Sequence, residues 1–97
     1  MPTYVLLVNW TDQGVRTARD TVDRYEASRE SLEQLGVTMR ETYWTMGPYD
    51  IVSIGEAPDD ETMTAAALAI AGEGNARTIT LRAFSGDEAR AIIAKVP

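Results

Sequence analysis

Tyr49 and Asp50 stand side by side just past a Gly47-Pro48 corner. A phenol beside a carboxylate can act as an acid–base or substrate-orienting pair, and these two are the candidate catalytic residues. The same pair also fits a turn in which the aspartate accepts backbone N–H groups. Trp10, Tyr43, Trp44 and Tyr49 are candidates to line an apolar pocket for a planar ligand, the alternative being core or interface. Asn9 closes an apolar run, where it can orient a ligand oxygen or cap Thr11-Asp12. Arg40, with Arg77 and Arg82, is suited to hold a ligand carboxylate, or else pairs with the chain's own acids. Glu41 and Glu56 form a second carboxylate couple, either an acid–base pair with split pKa values or charges along a sheet edge.

The absences narrow the chemistry further. The 97 residues include no histidine and no cysteine. That removes the commonest general base, the commonest transition-metal ligand, the usual proximal haem ligand and all thiol chemistry. No metal site and no cofactor is expected. Fifteen acidic residues against nine basic ones give a net charge of −6, which repels phosphate backbones, so nucleic acid is not an expected partner. No apolar run approaches the roughly 20 residues of a membrane-spanning helix. The N-terminus lacks a basic region followed by a long apolar stretch. A cytoplasmic location and a single domain over residues 1–97 are therefore expected.

The elements that must position these side chains follow from periodicity. Residues 3–10 alternate as a strand, with Tyr4, Leu6, Val8 and Trp10 on one face and Val5, Leu7 and Asn9 on the other. Thr11 to Gly14 caps a short helical turn. A longer helix has its N-cap at Asp20 or Thr21 and ends near Leu35, with Val22, Tyr25, Ser28, Arg29, Leu32 and Leu35 along one partly apolar stripe and Gly36 at the left-handed C′ position. Residues 37–46 and 49–57 form a hairpin about Gly47-Pro48, setting Trp44 opposite Ile51, Thr42 opposite Ser53 and Arg40 opposite Gly55. Its other face carries Val37, Met39, Glu41, Tyr43, Val52, Ile54 and Glu56. Asp59 or Asp60 caps a second helix that buries Met63, Ala66, Ala67 and Ile70. Residues 76–84 form a fourth strand. Ser85 and Glu88 then make a capping box for a last helix burying Ala89, Ile92 and Ile93.

The order is β-α-β-β-α-β plus a C-terminal helix, the ferredoxin-like α+β arrangement, with a four-stranded antiparallel sheet covered by helices on one face. The first strand is apolar on both faces, which implies cover on both. The bare face is expected to hold either Leu6 and Val8 or Val5 and Leu7, with Trp44, Ile51 and Phe84, and to bury itself against a second copy. A homodimer, or an assembly of dimers, is the expected state, and Trp44→Glu is expected to split it.

Several segments resemble the GYD-domain family. They are the opening Pro2-Thr-Tyr-Val-Leu-Leu-Val-Asn-Trp-Thr-Asp-Gln-Gly14, then Thr45-Met-Gly-Pro-Tyr-Asp50, Glu56-Ala-Pro-Asp59, Arg77-Thr78 and Thr80-Leu-Arg-Ala-Phe84. Gly47 and Tyr49-Asp50 stand where the family's name-giving residues fall, split here by Pro48. The resemblance covers nearly the whole chain. It implies a dimeric α/β barrel, two ferredoxin-like sheets packed face to face. The wider superfamily includes cofactor-free monooxygenases, isomerases, haem enzymes and domains with no known reaction. Its haem members use an axial histidine, which this chain lacks.

Two functional readings follow. One is a non-catalytic oligomeric or small-ligand-binding module. The other is a cofactor-free enzyme, monooxygenase- or isomerase-like, acting on a small aromatic or carbonyl compound. In the second, Asn9, Trp10, Arg40, Tyr43, Trp44 and Tyr49 bind the ligand, with Asp50 as base.

Overall fold

The alternating opening run forms strand β1, Thr3–Trp10, in the computed structural model, which describes residues 1–97. A short helix α1, Asp12–Arg16, a 3-10 turn at Ala18–Asp20 and the long helix α2, Thr21–Gln34, lead to strand β2, Thr38–Trp44. Strand β3, Ile51–Glu56, is joined by helix α3, Asp60–Gly72, to strand β4, Ala76–Ala83, and helix α4, Gly86–Ile93, closes the chain. The four strands form one antiparallel sheet in the order β2-β3-β1-β4. This α+β order is compatible with the ferredoxin-like fold expected from the hairpin and its flanking helices.

Local chemistry sets the element ends. Thr11 caps α1 by accepting from the Gly14 N–H at 3.1 Å, and Asp59 caps α3 by accepting from the Thr62 N–H at 2.8 Å. Ser85 and Glu88 form the reciprocal capping box of α4. Gly36 takes φ +91° after α2, the left-handed conformation that glycine adopts without a steric penalty. Asp20 occupies the N-cap position of α2 but makes no side-chain cap bond.

The helices cover the face of β1 that carries Tyr4, Leu6 and Val8, all buried. Leu32 of α2 and Met63 and Ala66 of α3 complete the core with Val37 and Met39. The expected pairings Trp44 with Ile51 and Thr42 with Ser53 are present. The pairing of Arg40 with Gly55 is not. Met39 stands opposite Gly55, and a register shift between Met39 and Glu41 leaves Arg40 as a bulge. A one-residue bulge reverses the faces upstream of it. Val37 and Met39 therefore point into the core rather than sharing a face with Glu41 and Tyr43. The hairpin corner is also longer than two residues, since the ladder stops at Trp44 and resumes at Ile51.

The expected composition of the bare face changes accordingly. It carries Val5 and Leu7 with their ladder partners Ile54, Val52, Leu81 and Ile79. Trp44 and Ile51 lie on the helix side instead. The Trp44 indole donates to Thr21 Oγ1 at 3.0 Å and meets the Tyr25 ring edge to face at 5.6 Å. Phe84 lies under the Arg82 guanidinium, which also stacks over Tyr4. Helix α4 buries none of its residues. Ile92 and Ile93 remain exposed, contrary to expectation. No helix is long and apolar enough to cross a membrane.

Candidate functional site

Asp50 sits where β1 and β3 stop pairing. Its N–H donates to the Val8 carbonyl and its carbonyl accepts from the Thr45 N–H, both at 2.9 Å. Its carboxylate Oδ2 accepts from the Trp10 N–H at 2.9 Å. The side chain thus extends the β1–β3 ladder past its last residue pair, satisfying a backbone donor that the strand end would leave open. The Tyr49 carbonyl accepts from Thr45 Oγ1 at 2.6 Å. Asp50 thus accepts a backbone N–H, as in the alternative to an acid–base pair, while Tyr49 takes part through its backbone carbonyl alone.

The carboxylate couple is likewise divided between separate partners. Arg40 makes an ion pair with Glu56 at 3.2 Å, which holds the Glu56 carboxyl below its ordinary range. The Tyr43 hydroxyl donates to Glu41 at 2.9 Å, and that bond pushes the phenol pKa up. The three arginines do not converge. Arg82 donates to the Thr3 and Ala83 carbonyls. It lines a surface groove of about 410 Å³ between α3 and β4, with Arg77 and Asp60, while Arg40 lies at the far edge of the sheet. At the head of this groove the buried Tyr4 hydroxyl donates to Asp60, and burial followed by that bond pushes the phenol up to about 12. No three carboxylates lie together as a metal cradle.

The four candidate aromatics are dispersed. Asn9 and Tyr43 stand on the bare face of the sheet, whereas Trp10 and Trp44 stand on the helix side. Only Trp10 of the six candidate ligand-binding residues lines a pocket. That pocket, of about 80 Å³, lies between the sheet and helices α2 and α3. Leu6, Val8, Met39, Ile51 and Ile70 form its apolar wall, and Arg24, Tyr25, Ser28, Glu73 and Asn75 its polar side. A chain of hydroxyls crosses this region. Thr42 Oγ1 bonds the Tyr25 hydroxyl at 2.5 Å and lies 2.9 Å from Ser53 Oγ. The buried Trp10 Nε1 has no hydrogen-bond partner.

Helical spacing placed Tyr25 and Ser28 on the partly apolar stripe of α2, where they line this pocket, whereas Asn75 reads alone as a turn residue and gave no such signal. Residue types did not single out Val52, Ile54, Ile79 and Leu81, which make up most of the bare face. Their alternation with polar residues was the only available signal.

A model of the GYD domain matches residues 4–93. A relative from Thermus thermophilus, named glutamine synthetase and cystathionine beta-lyase binding protein, is 37% identical over 85 residues, covering 87% of this chain and 90% of the relative. The crystal structure of TTHA0845 from Thermus thermophilus is similar with a TM-score of 0.56 at 27% identity, covering 89% of this chain and 96% of that one.

Proposed function

The chain belongs to the GYD domain family, and we propose that within it this member is a non-catalytic protein-binding module that works as a homodimer. The observation that carries this reading is the bare face of the sheet. Val5, Leu7, Val52, Ile54, Ile79 and Leu81 lie there in adjoining ladder positions, with Ile79 and Leu81 nearly half exposed. Contiguous apolar surface of this kind marks an interaction site. The occupant of this face is a second copy, sheet against sheet. At its β2 edge Arg40 and Glu56 are already paired with each other and the Glu41 carboxylate accepts from the Tyr43 hydroxyl, so an identical face meets one closed ion pair and one hydrogen-bonded carboxylate there.

Burying about 400 Å² of apolar surface per copy contributes about 10 kcal/mol at 25 cal/mol per Å². Two copies double that, against about 4–15 kcal/mol for lost translational and rotational freedom. The relative named for binding glutamine synthetase and cystathionine beta-lyase supports protein binding as the role, with enzyme subunits as the partner class. The divided partners of Asp50, Glu41 and Glu56 support the non-catalytic half of the reading. A cytoplasmic location and a single domain belong to the same reading.

Two measurements test it. Sedimentation equilibrium at tens of micromolar is expected to give a dimer, and a monomer there would refute the pairing. Titration of purified glutamine synthetase and cystathionine beta-lyase from the same source organism, followed by sedimentation velocity, is expected to give a faster complex with at least one of them. Binding to neither enzyme would remove the partner class.

A further inference from the structure

We propose that the outer edge of β4, with the groove beside it, receives an extended acidic segment of a partner protein as an added strand of the sheet. This inference rests on the protein-binding reading above and names the surface that does the binding. The two edges of the sheet differ. β2 is protected by its bulge at Arg40 and by the charges of Arg40 and Glu41. β4 pairs with β1 without interruption from Ala76 to Ala83 and carries no proline and no bulge. Its outward N–H and C=O groups face no other strand. Between Arg77 and Arg82 it offers only Thr78, Ile79, Thr80 and Leu81, an uncharged run of mostly β-branched residues.

Charge and spacing identify the occupant. The groove of about 410 Å³ alongside has an apolar floor of Met63, Ala67, Leu68 and Ala71, suited to the alternate side chains of an added strand. Arg77 and Arg82 line it against a single acid, Asp60, which accepts from the Tyr4 hydroxyl. Arg40–Glu56 is the only ion pair in the chain, so both groove arginines lack a carboxylate partner. Arg82 donates through one amino group alone, to the Thr3 and Ala83 carbonyls. Along the strand the two cations stand roughly 16 Å apart, too far for one small anion and the right reach for an extended segment with acids at the same separation. Acids so spaced fall on opposite faces of a strand, as Arg77 and Arg82 do. A second copy does not fit this edge. β4 holds no acid, so pairing it with itself leaves the arginines of both copies unanswered.

The test uses the blocked peptide acetyl-Glu-Thr-Val-Thr-Val-Glu-amide and the two-dimensional ¹H–¹⁵N spectrum of the full chain. Laid antiparallel to β4, this peptide sets its valines on the groove side and its last glutamate against Arg77. It is expected to shift the backbone amides from Arg77 to Arg82 along a saturable curve. Glutamine at both ends is expected to weaken binding about fivefold. Arg77 is exposed, so Arg77→Glu keeps the fold. That variant is expected to bind the acidic peptide about tenfold more weakly and to recover binding when the last residue of the peptide is lysine. Absence of saturable β4 shifts overturns the proposal, as do shifts confined to Val5, Leu7 and Val52 on the bare face. Equal binding of the acidic and glutamine peptides overturns it too. A chain that binds either enzyme while the peptide leaves β4 unmoved keeps the protein-binding reading and removes this edge from it. Shifts along β4 with binding to neither enzyme keep the edge and remove that partner class.

Discussion

A Cβ placed on Gly14 would lie 1.9 Å from the carbonyl oxygen of Asn75. Helix α1 and the loop that feeds β4 thus meet backbone to backbone. The contact is locked by the Thr11 N–H donating to that same Asn75 oxygen at 3.1 Å and by Thr11 Oγ1 donating to the Gly74 carbonyl at 2.6 Å. Asn75 lines the Trp10 pocket, so this junction fixes one end of it.

Gly14→Ala is expected to force these backbones apart and to lower stability by about 1–3 kcal/mol, the usual cost of overpacking, or more because neither partner is a flexible side chain. Gly72→Ala is the matched control. A Cβ there meets nothing within 4 Å, and the residue lies in α3. It is expected to stabilise by about 0.5–1 kcal/mol through lower chain entropy. Thermal unfolding of the two variants checks the contrast.

Leu81→Glu is expected to leave the circular dichroism of the subunit unchanged and to convert the dimer to monomer. It sets a carboxylate opposite Val5, on the β4 side of the bare face. Trp44→Glu, expected from the sequence to split the dimer, is predicted instead to keep it. Its ring packs on Tyr25 on the helix side, so the variant loses subunit stability rather than assembly. Sedimentation velocity together with thermal melts separates the two outcomes.

Tyr4 gives an alkaline signature. Its phenol ordinarily titrates near 10, and in the folded chain it is pushed up to about 12, by burial first and the bond to Asp60 second. The folded state therefore holds this proton more tightly than the unfolded chain. The contribution to stability is complete below pH 10 and is lost as pH rises from 10 to about 12. Tyr4→Phe is expected to flatten that alkaline loss while costing about 1.5–3 kcal/mol at neutral pH through the lost bond to a charged acceptor. Denaturant melts at stepped pH measure both effects.

Helix α4 should respond to its cap alone. It buries no residue, and an isolated helix this short is marginal in water. Ser85→Ala removes the N-cap acceptor and is expected to cost about 1 kcal/mol of local helix stability while the melting of the sheet is unchanged. The backbone bond from Ser85 holds the Glu88 carboxyl below its ordinary pKa, so the capping box is intact at neutral pH and weakens as pH falls through the folded pKa. Amide protection factors across residues 86–93, taken relative to the intrinsic exchange rate at each pH, are expected to fall in acid and in the variant.

The sequence by itself determined whatever depends on neighbours along the chain. Alternation placed β1, the spacing around Gly47-Pro48 paired Thr42 with Ser53 and Trp44 with Ile51, and the cap signals at Thr11, at Asp59 or Asp60 and at Ser85 marked where helices begin. Missing histidine and cysteine set limits on the chemistry without reference to any fold. Three other features were decided by tertiary structure. Both faces of β1 are aliphatic, so period alone cannot say which one the helices cover; packing of Leu32, Met63 and Ala66 selected the side of Tyr4, Leu6 and Val8. The bulge at Arg40 reversed Val37 and Met39 relative to Tyr43, because inserting one residue in a two-residue period exchanges the faces. The pocket at Trp10 draws its wall from residues as far apart as Leu6 and Ala76. An unpaired indole N–H beside such a pocket depends on distances between segments, which no local spacing encodes.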